Sequence, residues 1–459
     1  MASVRSMTSG RPGKIILSFA LPLMIGNIFQ QLYTVTDAMI VGQFLGVNGI
    51  SAVGATEWMI WLMIGMVQGF TQGFAIKMSQ DFGAKRYKDL RSTIFNAAIL
   101  SLLITVILVV IGQLTSTSVL TILHTPEDIF EGASIYMHTM FWGIPCMMLY
   151  NFTASVLRSL GDGKTPLYAM VIGAITNIVL DLIFVTVFHW GLFGAAAATV
   201  TAQFFTGIFC LVRIAKIDLL RFSKEDIVLI PRSHIHLMKL GIPMAFQNAV
   251  ISVGGMIVQA VVNKFGVIFI AGFTATNKLY GLLEVAATSY GFAMTTYTGQ
   301  NVGAGEMKRV RQGYRTALGI ALVTSLLIAL VMICGGKLIL GCFISGDPQT
   351  VTDTMNIAYH YLFIMSVLLP ILYYLHITRS CIQGMGNTVL PMMSGVAEFV
   401  MRTGAAMLLP MLMGEDGIFY AEIAAWAGAD IVLFFSYQYC VRKLEASLSS
   451  KETMTSETI

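Results

Sequence analysis

The sequence predicts an all-α polytopic membrane protein with twelve transmembrane helices. Composition is the first reason: 56% of the 459 residues are hydrophobic and 11% are charged, whereas a globular domain carries about 25% charged residues. The second reason is a series of apolar runs, each long enough for a span of about 20 residues. This composition excludes a large soluble catalytic domain, a nucleotide-binding domain and a nucleic-acid reader.

Charged residues and Pro/Gly breaks divide the apolar runs into twelve predicted spans. Their ranges are 15–41, 49–76, 92–112, 131–153, 166–189, 191–214, 235–262, 268–296, 313–341, 354–378, 388–412 and 416–441. Basic residues concentrate in alternate connections, beginning with Arg5, Arg11 and Lys14 before span one. Because cytoplasmic loops are rich in Lys and Arg, we expect a multi-pass protein of the cell membrane with both termini in the cytoplasm.

The two halves of the chain resemble each other. Three pairs of residues share an offset of 225 positions: Pro145 with Pro370, Gly161 with Gly386, and Pro166 with Pro391. We therefore predict two six-helix lobes in a parallel repeat, residues 1–225 and 226–459, an arrangement that transporters use around a midplane site. Four prolines within spans are expected to interrupt the hydrogen-bond ladder of their helices, which membrane helices tolerate where a bend or a cavity is needed; they are Pro22, Pro145, Pro243 and Pro370.

Ionisable residues at membrane depth are the first candidates for function, since each costs at least ~2.5–3.5 kcal/mol to insert. The first half carries Asp37 in span one and Asp181 in span five, with Asn177 one turn before Asp181. Nearby polar or small positions are Gln30, Tyr33, Ala195 and Thr199. Such oxygen ligands suit a hard cation, and paired carboxylates equally suit a proton. The alternative is that each acid is hydrogen-bonded across helices and only fixes packing.

The second half does not repeat this set of residues. It carries Glu284 in span eight, and Glu398 with Arg402 in span eleven. Glu398 and Arg402 lie four positions apart and can pair on one helix, either as a structural pair or in gating. Glu284 has no evident partner in the sequence, so it is either a second protonation or drug-binding acid, or an interfacial residue. These three residues form a possible second-lobe site.

Four motifs carry a resemblance to a known family. They are residues 21–42, with Leu21-Pro22, GNIFQQLY and Asp37; residues 157–166, LRSLGDGKTP; residues 177–181, NIVLD; and residues 299–305, GQNVGAG. In sequence, span count and spacing the chain resembles the multidrug and toxic compound extrusion (MATE) transporters over nearly its full length. The resemblance implies two lobes around a central V-shaped cleft.

The resemblance also implies a coupling site. Its residues would be Asp37, Asn177, Asp181 and Thr199 with the backbone of Ala195, and the four side chains would ligate Na⁺ in a Na⁺-coupled protein. Gln30, Tyr33 and Tyr136 fall where the family has polar residues that line the cavity. Some branches place an acid in span seven, where this chain has Gln259. The set therefore fits the branches that couple through the N-terminal lobe.

These observations predict a secondary active efflux transporter that exports lipophilic organic cations and drugs by antiport with Na⁺ or H⁺. We expect no cofactor besides the coupling ion, no nucleic-acid partner, and a monomer surrounded by membrane lipid. The alternative is a flippase of the same superfamily for a lipid-linked saccharide or another lipid. An enzyme is not expected, because the seven His are dispersed and no convergent motif such as HExxH occurs.

Overall fold

The computed structural model describes residues 4–123, 125–344 and 348–456, which are helical and contain no strand. The α-helices are α1 (Pro12–Gly83), α2 (Tyr87–Ile122), α3 (Glu127–Trp142), α4 (Ile144–Ser159), α5 (Lys164–Asp181), α6 (Gly191–Ala215), α7 (Pro231–Val262), α8 (Val267–Gly303), α9 (Met307–Leu340), α10 (Pro348–Val367), α11 (Leu369–Gly384), α12 (Val389–Met413) and α13 (Tyr420–Ser456). A π-helical turn spans Leu182–Val187, and 3₁₀ turns span Asp218–Leu220 and Gly414–Phe419.

Three interruptions reconcile these helices with the predicted spans. The 72 residues of α1 are broken at Gly46, whose φ of 70° is not helical, so this helix supplies two crossings. The pairs α3–α4 and α10–α11 bend by 44° and 50° and count as one crossing each. Within the described ranges the helices therefore confirm the prediction of twelve spans.

The prolines behave in two different ways. Pro145 and Pro370 each follow a sharp bend, in the first turn of α4 and α11. Pro22 and Pro243 lie inside α1 and α7, and both helices continue through them. Pro22 and Pro243 therefore each remove one hydrogen bond from the ladder without ending the helix. A membrane helix tolerates the single donor that proline removes where neighbouring groups compensate.

The chain forms two compact units that exchange the beginnings of two helices. The first unit comprises Met1–Ser6 and Leu21–Ala249, and the second comprises Met7–Ala20 and Val250–Ile459. Helices α1 and α7 therefore each contribute residues to both units. These are the first spans of the two repeats, and each contains a proline, Pro22 or Pro243, close to the position where the chain passes from one unit to the other.

A stack of aromatic rings organises the core of the second unit. The rings of Phe273 and Tyr361 lie nearly parallel with centroids 4.9 Å apart, and those of Phe269 and Phe419 do so at 5.5 Å. Tyr361 also stacks on Phe419 at 5.0 Å. Since offset aromatic pairs add to the energy of area burial, this stack joins α8, α10 and the 3₁₀ turn before α13.

Small residues allow very close helix packing in the first unit. A Cβ atom added to Gly73 on α1 would lie 2.6 Å from the Cα of Gly241 on α7. One turn earlier, a Cβ atom on Gly69 would lie 2.4 Å from the Cα of Ala245. Membrane helices associate through such contacts, because lipid provides no hydrophobic drive between them.

We expect Gly73→Ala to destabilise the protein by about 1–3 kcal/mol, the typical cost of overpacking. The added methyl group meets backbone, which cannot move aside as a flexible side chain does. The measurement is thermal unfolding of purified protein in detergent. Gly54→Ala is the matched control, because nothing lies within 4 Å of that Cβ position. Equal melting temperatures for the two variants would contradict the packing account.

The segment between α6 and α7 is fastened to α2. Arg91 Nε donates to Asp226 Oδ2 at 2.7 Å, and Asn96 Nδ2 donates to the carbonyl of Val228 at 3.0 Å. Asn96 Oδ1 in turn accepts from the backbone nitrogen of Ile230 at 3.0 Å. The bond from the Arg91 guanidinium lowers the pKa of Asp226 to about 2. This most polar part of the chain is thus an ordered element of the first unit.

The segment between α6 and α7 should detach from α2 at acidic pH. A carboxyl whose pKa is lower in the folded state stabilises that state above its unfolded pKa, about 3.9 for Asp. That contribution is lost as the pH falls towards the folded pKa of about 2. We expect pepsin to cleave within residues 216–230 much faster near the folded pKa of Asp226 than near the unfolded pKa. Asp226→Asn should already be cleaved fast near the unfolded pKa. If this variant were as resistant as the parent protein, the ion pair would have no such role.

Candidate functional site

Asp181 ends helix α5 and is fully buried. The π-helical turn Leu182–Val187 follows it directly, and such turns change the direction of side chains and recur at functional sites. Neither carboxylate oxygen of Asp181 has a hydrogen-bond donor among the described residues. Burying a carboxylate without a hydrogen-bond donor or a counter-charge costs free energy. A group that binds reversibly from outside the protein would remove this cost.

Asp37 on α1 faces Asp181. The two carboxyl groups lie close enough for one to hydrogen-bond the other when it carries a proton. Asp37 Oδ1 is sealed from solvent and has no donor in the described chain. No Arg, Lys or His of the described residues acts on either carboxyl group. The structure therefore brings together two acids that share one site without a counter-charge.

Neutral oxygens extend this acid pair along α5 and α6. Asn177 is buried one turn before Asp181, and its Nδ2 donates to Thr199 Oγ1 on α6 at 3.3 Å. The Oδ1 atom of Asn177 is left without a donor. Ala195 lies one turn before Thr199 and is fully buried. Two carboxylates thus lie close together, and an amide oxygen and a hydroxyl group lie on neighbouring turns; oxygen ligands of these kinds suit a hard cation.

A narrow cavity of about 350 Å³ lies next to this cluster. Gln30 and Tyr33 line it together with Asn177 and Thr199, as expected for polar cavity residues. Tyr136 is buried beside the two acids, in an apolar cluster, and is not one of the residues that line the cavity.

Gln203 and Tyr150 are among the lining residues that the sequence did not predict. Gln203 follows Thr199 by four positions and thus shares its helix face, a spacing that the sequence already contained. Tyr150 belongs to α4, and no pattern within one helix connects it to α5 or α6. The same spacing rule that pairs Asn177 with Asp181 would have found the first residue but not the second.

Comparison with known proteins identifies the family of this chain. The MatE family profile matches residues 22–183 and 243–407. The chain belongs to the MATE family. A relative named "Probable multidrug resistance protein YpnP", from Bacillus subtilis, is 31% identical over 303 residues, which are 66% of this chain and 68% of that protein. "Probable multidrug resistance protein YoeA", from the same organism, is 27% identical over 361 residues, 75% of each chain.

A solved structure shows the same fold. It is described as the outward-facing conformation of a multidrug resistance MATE family transporter of the MOP superfamily. The alignment covers 96% of this chain and 98% of that chain, with a TM-score of 0.88 at 22% sequence identity. Members of the MATE family are transporters, and the chain is accordingly a multi-pass membrane protein of the multidrug efflux type.

The second unit of this MATE protein contains a contrasting cluster of paired charges. Arg402 Nη2 donates to Glu398 on the same helix at 3.0 Å, the pair that the spacing predicts, and to Glu422 on α13 at 2.8 Å. Arg379 on α11 donates to the other oxygen of Glu398 at 2.7 Å. Two arginines and two glutamates therefore alternate across α11, α12 and α13.

Glu284 has a partner that the sequence did not reveal. His376 Nε2 on α11 lies 3.3 Å from Glu284 Oε1 on α8, and the Glu284 side chain is 35% exposed. The sequence gives no sign of this partner, because His376 stands on a different helix. Glu284 is not hydrogen-bonded to the pair Glu398–Arg402, so the three residues of the possible second-lobe site divide into two neighbouring groups.

We expect Glu398→Ala to destabilise the protein by about 3–5 kcal/mol, because breaking a buried ion pair leaves its partners uncompensated. Here two buried guanidinium groups, those of Arg379 and Arg402, would lose their shared acid. Thermal unfolding in detergent measures the loss. Glu415→Ala, at an exposed position, is the control and should melt like the parent protein. A small effect of Glu398→Ala would show that the network is not a structural requirement.

Proposed function

We propose that the protein is a cation-coupled antiporter that exports lipophilic, cationic drugs or toxic organic compounds. One observation carries the proposal: Asp37 and Asp181 share a buried site that holds no basic residue of the described chain. Two such acids need a positive charge from outside the protein. An inward-moving Na⁺ or H⁺ supplies that charge, and its gradient supplies the energy for export.

Binding of the coupling ion lowers the free energy needed to remove Asp37 and Asp181 from water. With both carboxylates charged, a conformation that removes the site from water is unfavourable. A bound Na⁺ or H⁺ neutralises the site and shifts the equilibrium towards the enclosed conformation. The organic cation is then taken up from the cytoplasm, and release of the coupling ion allows the return step.

The donor set accommodates both coupling ions. Na⁺ would be held by the side-chain oxygens of Asp37, Asn177, Asp181 and Thr199 with the backbone carbonyl of Ala195. A proton would be shared by the two carboxyl groups, which lie within hydrogen-bonding reach of each other. The lining residues Gln30 and Tyr33, with Tyr136 beside the acids, keep the surroundings polar.

The proposal extends to the two lobes and to the orientation of the protein in the membrane. We propose that residues 1–225 and 226–459 act as lobes that rock around a central cleft, in a monomer of the cell membrane with cytoplasmic termini. The basic residues Arg5, Arg11 and Lys14 support this orientation. The flippase alternative gains no support, since the relatives described above are named multidrug resistance proteins.

We expect Asp37→Asn to abolish export while leaving membrane insertion intact. The amide has almost the same size as the carboxyl group, but it carries no negative charge to attract Na⁺ and it does not take up a proton. Ethidium efflux from proteoliposomes under a Na⁺ gradient, and separately under a pH gradient, measures the effect and identifies the coupling ion. Asp89→Asn, at an exposed position in the first turn of α2, is the control. Export by Asp37→Asn at the parent rate would refute the proposal.

A further inference from the structure

Two of the four motifs that carry the family resemblance have no part in the acid site. They are residues 157–166, around the connection between α4 and α5, and residues 299–305, at the end of α8. The segment that precedes α1, residues 4–11, is hydrogen-bonded to both motifs, and we call this segment the strap. Each of these bonds lies within one unit, because the division between the units falls between Ser6 and Met7.

The first attachment holds the strap on the first unit. The backbone nitrogen of Arg5 donates to the carbonyl of Leu160 at 3.1 Å. Gly161 permits this approach, because its φ is +78° and a Cβ atom there would collide with the carbonyl oxygen of Arg5. Val4 packs against the apolar core of the same unit. This attachment therefore uses neutral backbone groups and an apolar side chain.

The second attachment holds the strap on the second unit. Gln300 Oε1 accepts a hydrogen bond from the backbone nitrogen of Met7 at 2.8 Å, and the Met7 side chain is 1% exposed. Asn301 Nδ2 donates to the carbonyl of Met7 at 3.3 Å, and the Arg309 guanidinium donates to the carbonyl of Gly10 at 3.0 Å. Because hydrogen bonds from a charged donor are stronger than neutral ones, this attachment is the firmer of the two.

The chain between the two attachments is too short to follow a large movement. Arg5 and Met7 are two positions apart, and two residues of extended chain span at most about 7 Å. The proposed uptake of an organic cation from the cytoplasm requires the two lobes to separate on that side. The strap cannot stay fastened at both ends during such a movement, so the weaker attachment, at Leu160 and Gly161, should break.

We propose that the strap holds the protein closed on the cytoplasmic side, and that it leaves residues 157–166 whenever the protein opens there. It remains bound to the second unit throughout the cycle. While it is fastened at both ends, it favours the closed conformation. The inference rests on the proposed rocking of the two lobes, and it identifies a part of the chain that limits this movement.

A reversible cross-link tests the release. Arg5→Cys and Lys164→Cys are both at exposed positions, and a short bis-maleimide with a cleavable disulfide bond joins them. Ethidium efflux from proteoliposomes should fall in proportion to the cross-linked fraction, because the strap can no longer leave the first unit. Reduction of the disulfide bond should restore the rate measured before cross-linking, which excludes misfolding of the variant as the cause of the loss.

The matched control joins the strap to the second unit. Ser9→Cys and Glu306→Cys are at exposed positions, and Glu306 precedes α9, one turn before Arg309, which binds the strap. The same reagent should leave efflux at the parent rate, because the strap keeps this attachment throughout the cycle. Parent protein treated with the reagent controls for its exposed cysteines, Cys334 and Cys342.

Cysteine labelling reports on the first attachment directly. Val4→Cys should react faster with a water-soluble maleimide when it is combined with Gly161→Ala, because the added methyl group displaces Arg5. Gly305→Ala is the matched control, since Gly305 also has a positive φ, of 76°, but nothing lies within 4 Å of its Cβ position. Met7→Cys should stay protected in both backgrounds, because the second attachment remains.

The outcomes separate the strap from the proposed antiport. Failure of the cysteines at Arg5 and Lys164 to cross-link, or parent-like efflux after cross-linking, would overturn the strap alone. Equal loss of efflux after cross-linking at Ser9 and Glu306 would also overturn it, because the strap would then have to leave the second unit. Parent-like export by Asp37→Asn would instead overturn the antiport, whereas the effect of the cross-links on efflux would still decide the strap.

Discussion

The cost of an ionised group in a hydrocarbon environment governs how this protein uses charge. Every charge at membrane depth must be neutralised by a neighbour or by something that arrives from outside. The second unit uses the first solution, with Arg379 and Arg402 alternating with Glu398 and Glu422. The first unit lacks this solution at Asp181, which is fully buried and has no donor in the described chain.

The two similar halves of the chain thus differ in whether their buried charges are paired. A network in which each glutamate accepts from an arginine is neutral already and gains nothing from another cation. The acid pair of the first unit is incomplete, so its energy depends strongly on whether a cation is bound. The repeat thus supplies the same helical framework twice, and the two copies differ in the placement of a few charged side chains. The partly exposed contact between Glu284 and His376 lies outside both clusters.

The sequence predicts much of this arrangement, and helical periodicity explains which part. Positions four apart share a helix face, so Asn177 with Asp181 and Glu398 with Arg402 could be grouped in advance. Contacts between helices depend on how each helix is rotated about its axis, which spacing does not specify. Tyr150 at the cavity and His376 beside Glu284 were therefore not predicted. Which prolines lie at a sharp bend was not predicted either, because the outcome depends on whether neighbours replace the lost hydrogen bond.

Tight binding and fast release make opposite demands on one site. A site that holds a cation strongly enough to drive a conformational change would hold it too long if it opened directly to the cytoplasm. In the first unit the carboxyl group of Asp181 lies at the end of α5, and the neutral side chains of Asn177 and Thr199 lie beside each other on α5 and α6. A carboxylate attracts a cation more strongly than a neutral oxygen does, so different residues of the same helices can meet the two demands.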